Sequence, residues 1–236
     1  MSRASDIDRF YDLLADLADR VGGPRRLADC DGRMDWPDRG VYVFCSPTET
    51  HGATDVPRVV RVGTHAVSAG SGTTLWDRLR THRGAQRGTY AGGGNHRGSV
   101  FRRRVGEAIR ARESLADHYP QWGDGSTADR EVRLKEHLLE RRVSEYVGDL
   151  PFLWVALDDE PGPESDRAFV EEHAIALLSN YRRPLVDERP PGWLGRNSAS
   201  REIRESGLWN VAHVDAAHDP AFLDRFADAV ADTTPP

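Results

Sequence analysis

The chain has 236 residues, of which 38% are hydrophobic and 30% charged, and its formal net charge is −6. That composition can build one good-sized core under a heavily charged surface, and it excludes a chain that is disordered throughout. No apolar run approaches the roughly 20 residues of a membrane span and no signal-peptide h-region opens the sequence, so the expectation is a cytoplasmic protein. The two cysteines, Cys30 and Cys45, are too few for a disulfide framework or a thiolate zinc site, and Cys45 in Val43-Phe44-Cys45 reads as a small core residue.

Phe10, Leu13, Leu14 and Leu17 recur at helical spacing over residues 6–20, ahead of Gly22-Gly23-Pro24, which predicts an amphipathic helix. Gly40 to Cys45 and Val59 to Val62 are β-branched and aromatic runs bounded by Pro47, Gly52, Pro57 and Gly63, and read as two antiparallel strands with a long connection. A helix follows from about Leu75 to Arg83, capped by Thr73 or Thr74 and ended by Gly84. The glycine-rich stretch 86–98 reads as a loop able to bring its backbone close to a ligand. Helices are expected over Val100 to Ala111 and Ala128 to Tyr146, and the apolar run Leu150 to Leu157 is expected as a buried third strand. Further helices are expected over Arg167 to Asn180, Ser200 to Glu205 and Pro220 to Ala231.

Charge is unevenly spread. Between Arg78 and Arg104 there are eight arginines and neither Asp nor Glu. A strongly basic segment inside an acidic chain suits a phosphate backbone, although a solvated, flexible arm would carry the same charges.

Gly40-Val41-Tyr42, then Arg61-Val62-Gly63, then Arg78 and His82 four residues apart on one helix face, then an apolar strand and a helix carrying Glu171 follow one another in the order of the GIY-YIG nuclease superfamily, which this chain resembles. The resemblance implies an α/β fold: a small three-stranded antiparallel sheet flanked by helices, with a helical insertion and a C-terminal extension. On that reading the chain is a single domain. Residues 1–35 are a helical lead-in, 36–184 a catalytic core with a basic insertion at about 84–149, and 185–236 the extension.

The resemblance further implies a DNA endonuclease that uses Mg²⁺ (or Mn²⁺). Tyr42 would position or activate the attacking water, although a phenol with a reference pKa of about 10 needs nearby cations to serve as a base at neutral pH. Arg78 would meet the scissile phosphate with its planar, permanently charged fork, and His82 would share proton transfer with Tyr42. Glu171, four residues before Ile175, would hold the metal, with the adjacent Glu172 as the alternative. Arg61, His65, Arg80, Arg97, Arg102 and Asn197 are the expected substrate contacts, Arg80 lying about 200° around the helix from Arg78.

Two departures from the family pattern stand out. Arg61 occupies the place of the second-motif tyrosine, a role that His65 or Tyr90 could fill, and the first two motifs are unusually far apart. The family's late asparagine falls on Asn197 or Asn180. A catalytically inactive nucleic-acid-binding module on the same scaffold is therefore the alternative function. From another class, the basic arm could meet an acidic protein.

Overall fold

The computed structural model describes residues 2–52 and 56–235. Helix α1 (Arg3–Val21) starts where Ser2 Oγ accepts the Ser5 N–H and stops at Gly22, whose φ of 78° is the left-handed turn that glycine adopts without a Cβ penalty. Strands β1 (Arg25–Arg26), β2 (Gly40–Thr50) and β3 (Pro57–Gly63) precede helices α2 (Leu75–Arg83), α3 (Val100–Arg112) and α4 (Arg130–Asp149). Strand β4 (Pro151–Ala156) and helices α5 (Asp166–Leu178), α6 (Arg201–Ser206) and α7 (Phe222–Asp232) complete the order. None of these helices is long and apolar enough to cross a membrane.

The sheet is antiparallel with strand order β1-β4-β2-β3. The α/β class and the three-stranded β4-β2-β3 centre are as expected. The fourth strand, β1, pairs only Arg25 and Arg26 with β4, too short and too polar to announce itself as a strand in the sequence. β2 and β3 run further than their apolar runs, so the long connection expected between them is mostly strand.

Register sorts the core into two layers. Tyr42 lies opposite Gly63 and Trp154, and Phe44 opposite Arg61 and Phe152, so these six residues share one face of the sheet. That face is aromatic: the Phe44 ring centroid is 5.6 Å from Phe101 on α3 and 5.4 Å from Phe152. Val41, Val43, Val62, Leu153 and Val155 alternate onto the other face, and helices α1, α5 and α7 pack against the sheet and one another.

The outer edge of β3 is covered by the C-terminal extension. The Trp209 N–H donates to Val60 O at 2.7 Å, and the Asn210 side chain accepts from Val62 N–H at 3.1 Å and donates to Val62 O at 2.8 Å. A side-chain amide here does the work of a neighbouring strand, closing an edge that would otherwise present unpaired backbone.

The insertion folds around buried ion pairs. Arg102 is fully buried and reaches His82 O at 2.6 Å, Glu140 O at 2.9 Å and Glu140 Oε2 at 2.5 Å. Glu140 Oε1 in turn accepts from the His96 N–H at 2.6 Å and lies 2.9 Å from His96 Nδ1. Because His96 Nε2 accepts the Gly123 N–H at 3.1 Å, the ring proton sits on Nδ1 and is donated to Glu140. Arg97 makes a fork to Glu136 at 2.6 and 3.1 Å. The glycine-rich run approaches these groups rather than a ligand: a Cβ on Gly94 would come within 2.4 Å of Arg102 Cζ.

This corrects the expected roles of Arg97 and Arg102 as substrate contacts. Both guanidinium groups are spent inside the fold on carboxylates that α4 turns inward at positions where its pattern allowed apolar residues.

Candidate active site

Helix α2 is set by a capping box. Thr74 Oγ1 accepts the Asp77 N–H and Asp77 Oδ2 accepts the Thr74 N–H, each at 3.1 Å, which selects Thr74 over Thr73 as the cap. The helix then presents Arg78 and His82 on one face, one turn apart. His82 Nε2 lies 2.8 Å from the Tyr42 hydroxyl, and Nδ1 lies 2.9 Å from Ser99 Oγ at the N-cap of α3. Tyr42 and His82 are both fully covered.

Gly63 explains its own identity. It faces Tyr42 across the β2–β3 ladder, and a Cβ there would stand 2.3 Å from the tyrosine hydroxyl oxygen, so any side chain would push Tyr42 off His82. The next residue, Thr64, donates its N–H to Glu171 Oε1 at 3.1 Å and its hydroxyl to Gly40 O at 2.8 Å. β3 thereby joins the tyrosine–histidine pair to the carboxylate on α5. Glu172 points elsewhere, half-exposed, with His213 Nδ1 3.7 Å away.

Two arginines lie near these groups without an ion-pair contact of their own. Among the described residues four arginines are buried: Arg58 pairs with Glu49 at 2.6 Å, Arg102 with Glu140 at 2.5 Å, and Arg167 with Asp159. Arg61, the fourth, has no carboxylate partner. Its guanidinium carbon lies 4.7 Å over the Phe101 ring, one terminal nitrogen reaches Trp209 O at 3.3 Å, and Nε has no partner. The half-buried Arg78 side chain makes no hydrogen bond or ion pair among the described residues, and its Nε is also buried and unmatched.

The electrostatics follow from this layout. Burial, then the charges of Arg78, Arg61 and Arg102, drive His82 well below the ordinary imidazole range, so its ring is neutral. Burial raises the Glu171 carboxyl, opposed first by Arg61 and then by the Thr64 N–H, His213 and Arg78. Arg61 and Arg78 thus act on both His82 and Glu171, so the two arginines lie within electrostatic reach of each.

Glu171 Oε2 meets no donor among the described residues, leaving one carboxylate oxygen for a cation. No cluster of three His, Cys, Asp or Glu able to hold a metal occurs among the described residues.

The remaining expected contacts lie elsewhere. His65 is buried with Nδ1 2.8 Å from Thr73 O and Nε2 accepting the Gly40 N–H at 3.3 Å, so both nitrogens hold the strand ends together and neither is left for substrate. Burial brings it down to about 4, helped by Arg167, Arg78 and Arg39 and opposed by its bond to Thr73. Arg80 is exposed, 3.0 Å from Asp77, and lines a groove of about 400 Å³ with Tyr90 and Arg133. Asn197 donates to Leu194 O at 3.2 Å within its own turn, and Asn180 donates to Asp187 O at 2.7 Å.

Sequence reasoning missed Ser99 and Asn210. Ser99 carried the signal of a serine immediately before a helical run. Asn210 carried only that of a polar residue inside the apolar stretch Leu208 to Val214.

No curated protein and no solved structure matches the chain. The family model described as GIY-YIG domain matches residues 1–236, its whole length. Because that match covers the whole chain, which carries the motif residues Tyr42, Gly63, Arg78, His82 and Glu171, the chain belongs to the GIY-YIG domain family.

Proposed function

We propose that the protein is a metal-dependent endonuclease that hydrolyses phosphodiester bonds in DNA. The observation that carries this reading is that Arg61 and Arg78, both acting on Glu171, make no ion-pair contact among the described residues while Glu171 keeps an oxygen without a donor. Uncompensated cations in a partly dry site are suited to a phosphate, whose developing charge a guanidinium fork can meet.

In this mechanism Arg78 binds the scissile phosphate and Tyr42, oriented by His82, directs the water that attacks phosphorus in line. The Tyr42 hydroxyl orients the water oxygen, and the water proton is released to solvent as the bond to phosphorus forms. The bond from phosphorus to the leaving sugar oxygen breaks, and that oxygen is protonated from solvent. His82 is neutral, so it acts as the hydrogen-bond partner of Tyr42 and not as a cation. Mg²⁺ (or Mn²⁺) on Glu171 would stabilise negative charge on the phosphate or the leaving oxygen. Tyr42 and His82 are fully covered whereas Arg78 and Glu171 are only half-buried, so the groups covering the pair must part as the strand enters.

That covering, together with Arg61 at the second-motif tyrosine position, also favours the second reading, a nucleic-acid-binding module without catalysis. Conversion of supercoiled plasmid to nicked or linear DNA separates the two. With Mg²⁺ or Mn²⁺ the wild type should cut, Glu171→Ala and Arg78→Ala should each lose at least about 100-fold in rate, and Glu172→Ala should cut normally. DNA retained in EDTA with no cutting in either metal would establish the binding module. Failure to retain DNA even at low salt would reject both and leave a protein partner for the basic surface.

A further inference from the structure

Arg61 is the exception among the buried arginines. It is 7% exposed, yet the pocket supplies it with one carbonyl at 3.3 Å and the face of Phe101 where Arg58, Arg102 and Arg167 each receive a carboxylate. A buried cation left in that state costs stability, and replacing it with a well-packed apolar side chain would ordinarily be neutral or favourable. Its position rules out a surface accident. Register with Phe44 fixes it on the same sheet face as Tyr42 and Gly63, and it is the strongest charge acting on Glu171.

We propose that Arg61 is a second phosphate ligand of this site, its guanidinium near Glu171 but held in no ion-pair contact, so that it and Arg78 close on one phosphodiester from two sides. The inference rests on reading the pocket as a phosphodiester site and deepens it: the position at which the family carries a tyrosine here contributes a charge. The unmatched Nε atoms of Arg61 and Arg78 are the donors that a bound phosphate would satisfy, and Phe101 and Trp209 O hold the Arg61 fork in place until it does.

The test compares wild type with Arg61→Met and Arg61→Lys, in EDTA so that cleavage is not needed. Thermal unfolding is followed with and without inorganic phosphate, and affinity for a short DNA duplex is measured across a salt series. Arg61→Met should unfold at the same temperature as wild type or higher, lose the phosphate-induced rise, and bind DNA on the order of 10- to 100-fold more weakly, with a salt slope smaller by about one. Arg61→Lys, a point charge without the fork, should keep part of the phosphate response. An Arg61→Met protein that is much less stable, or does not fold, would show that the residue serves to anchor Trp209, and the proposal would be overturned. So would unchanged phosphate response and DNA affinity. If wild type never cuts plasmid but its phosphate response still depends on Arg61, the ligand assignment stands and only hydrolysis falls.

Discussion

The insertion and the β3–α2 edge both concentrate arginine, and they use it in opposite ways. In the insertion Arg97 and Arg102 are matched to Glu136 and Glu140, and the matched pairs build a second core under the glycine-rich run. At the β3–α2 edge Arg61 meets a carbonyl and an aromatic face and Arg78 no hydrogen-bond partner, and neither makes an ion pair among the described residues. The first arrangement spends charge on folding, and the second leaves it without a carboxylate in contact. A basic segment in a sequence is therefore not yet a basic surface: the partners supplied by another helix decide which it becomes.

The largest effect should come from breaking the matched region. Glu140→Ala leaves the fully buried Arg102 without its carboxylate and His96 without its acceptor, and should cost about 3–5 kcal/mol in chemical denaturation. Burial works against the Glu140 charge, but His96 and Arg102 more than offset it and hold the carboxyl below its ordinary value. The stability it contributes is thus present above the unfolded carboxyl pKa and is lost as pH falls through the lower folded one. An unaffected Glu140→Ala protein would remove the distinction between the two regions.

The same distinction sets what could be read in the sequence. Tyr42, Gly63, Arg78 and Glu171 were singled out by the order and spacing of their motifs, and the strands and helices that carry them were legible because apolar periodicity is a local property. The fates of Arg97 and Arg102 were not, because they depend on Glu136 and Glu140 about forty residues away on α4. His65 failed for a related reason: its two partners, Thr73 O and the Gly40 N–H, are backbone groups with no side-chain signature. Asn210 pairs with a strand edge nearly 150 residues back, which no spacing rule reaches. β1 became a strand only because β4 offered it an edge.

His65 offers a smaller, sharper test. If it belongs to the framework, its imidazole should stay neutral until about pH 4 by NMR titration. The unfolded chain takes up that proton near the ordinary histidine value, so its contribution to stability is present above about 6.5 and is lost as pH falls toward about 4. His65→Gln should flatten the dependence of stability on pH across that window. A His65 that titrates near 6.5 would be open to solvent and would return to the list of possible substrate contacts.

The smallest effect should come from Arg80, two residues from Arg78 but exposed, paired with Asp77 at 3.0 Å and facing the groove beside Tyr90. An exposed cation already shared with a carboxylate releases little counterion when it meets a phosphate. Arg80→Ala should therefore weaken DNA binding by no more than about threefold and change the salt slope by well under one, whereas Arg78→Ala should lower both further. Equal losses for the two variants would mean that the strand runs over the outer face of α2 as well as the pocket. The insertion groove would then belong to the binding surface, and pairing with Asp77 would no longer separate the spent arginines from the available ones.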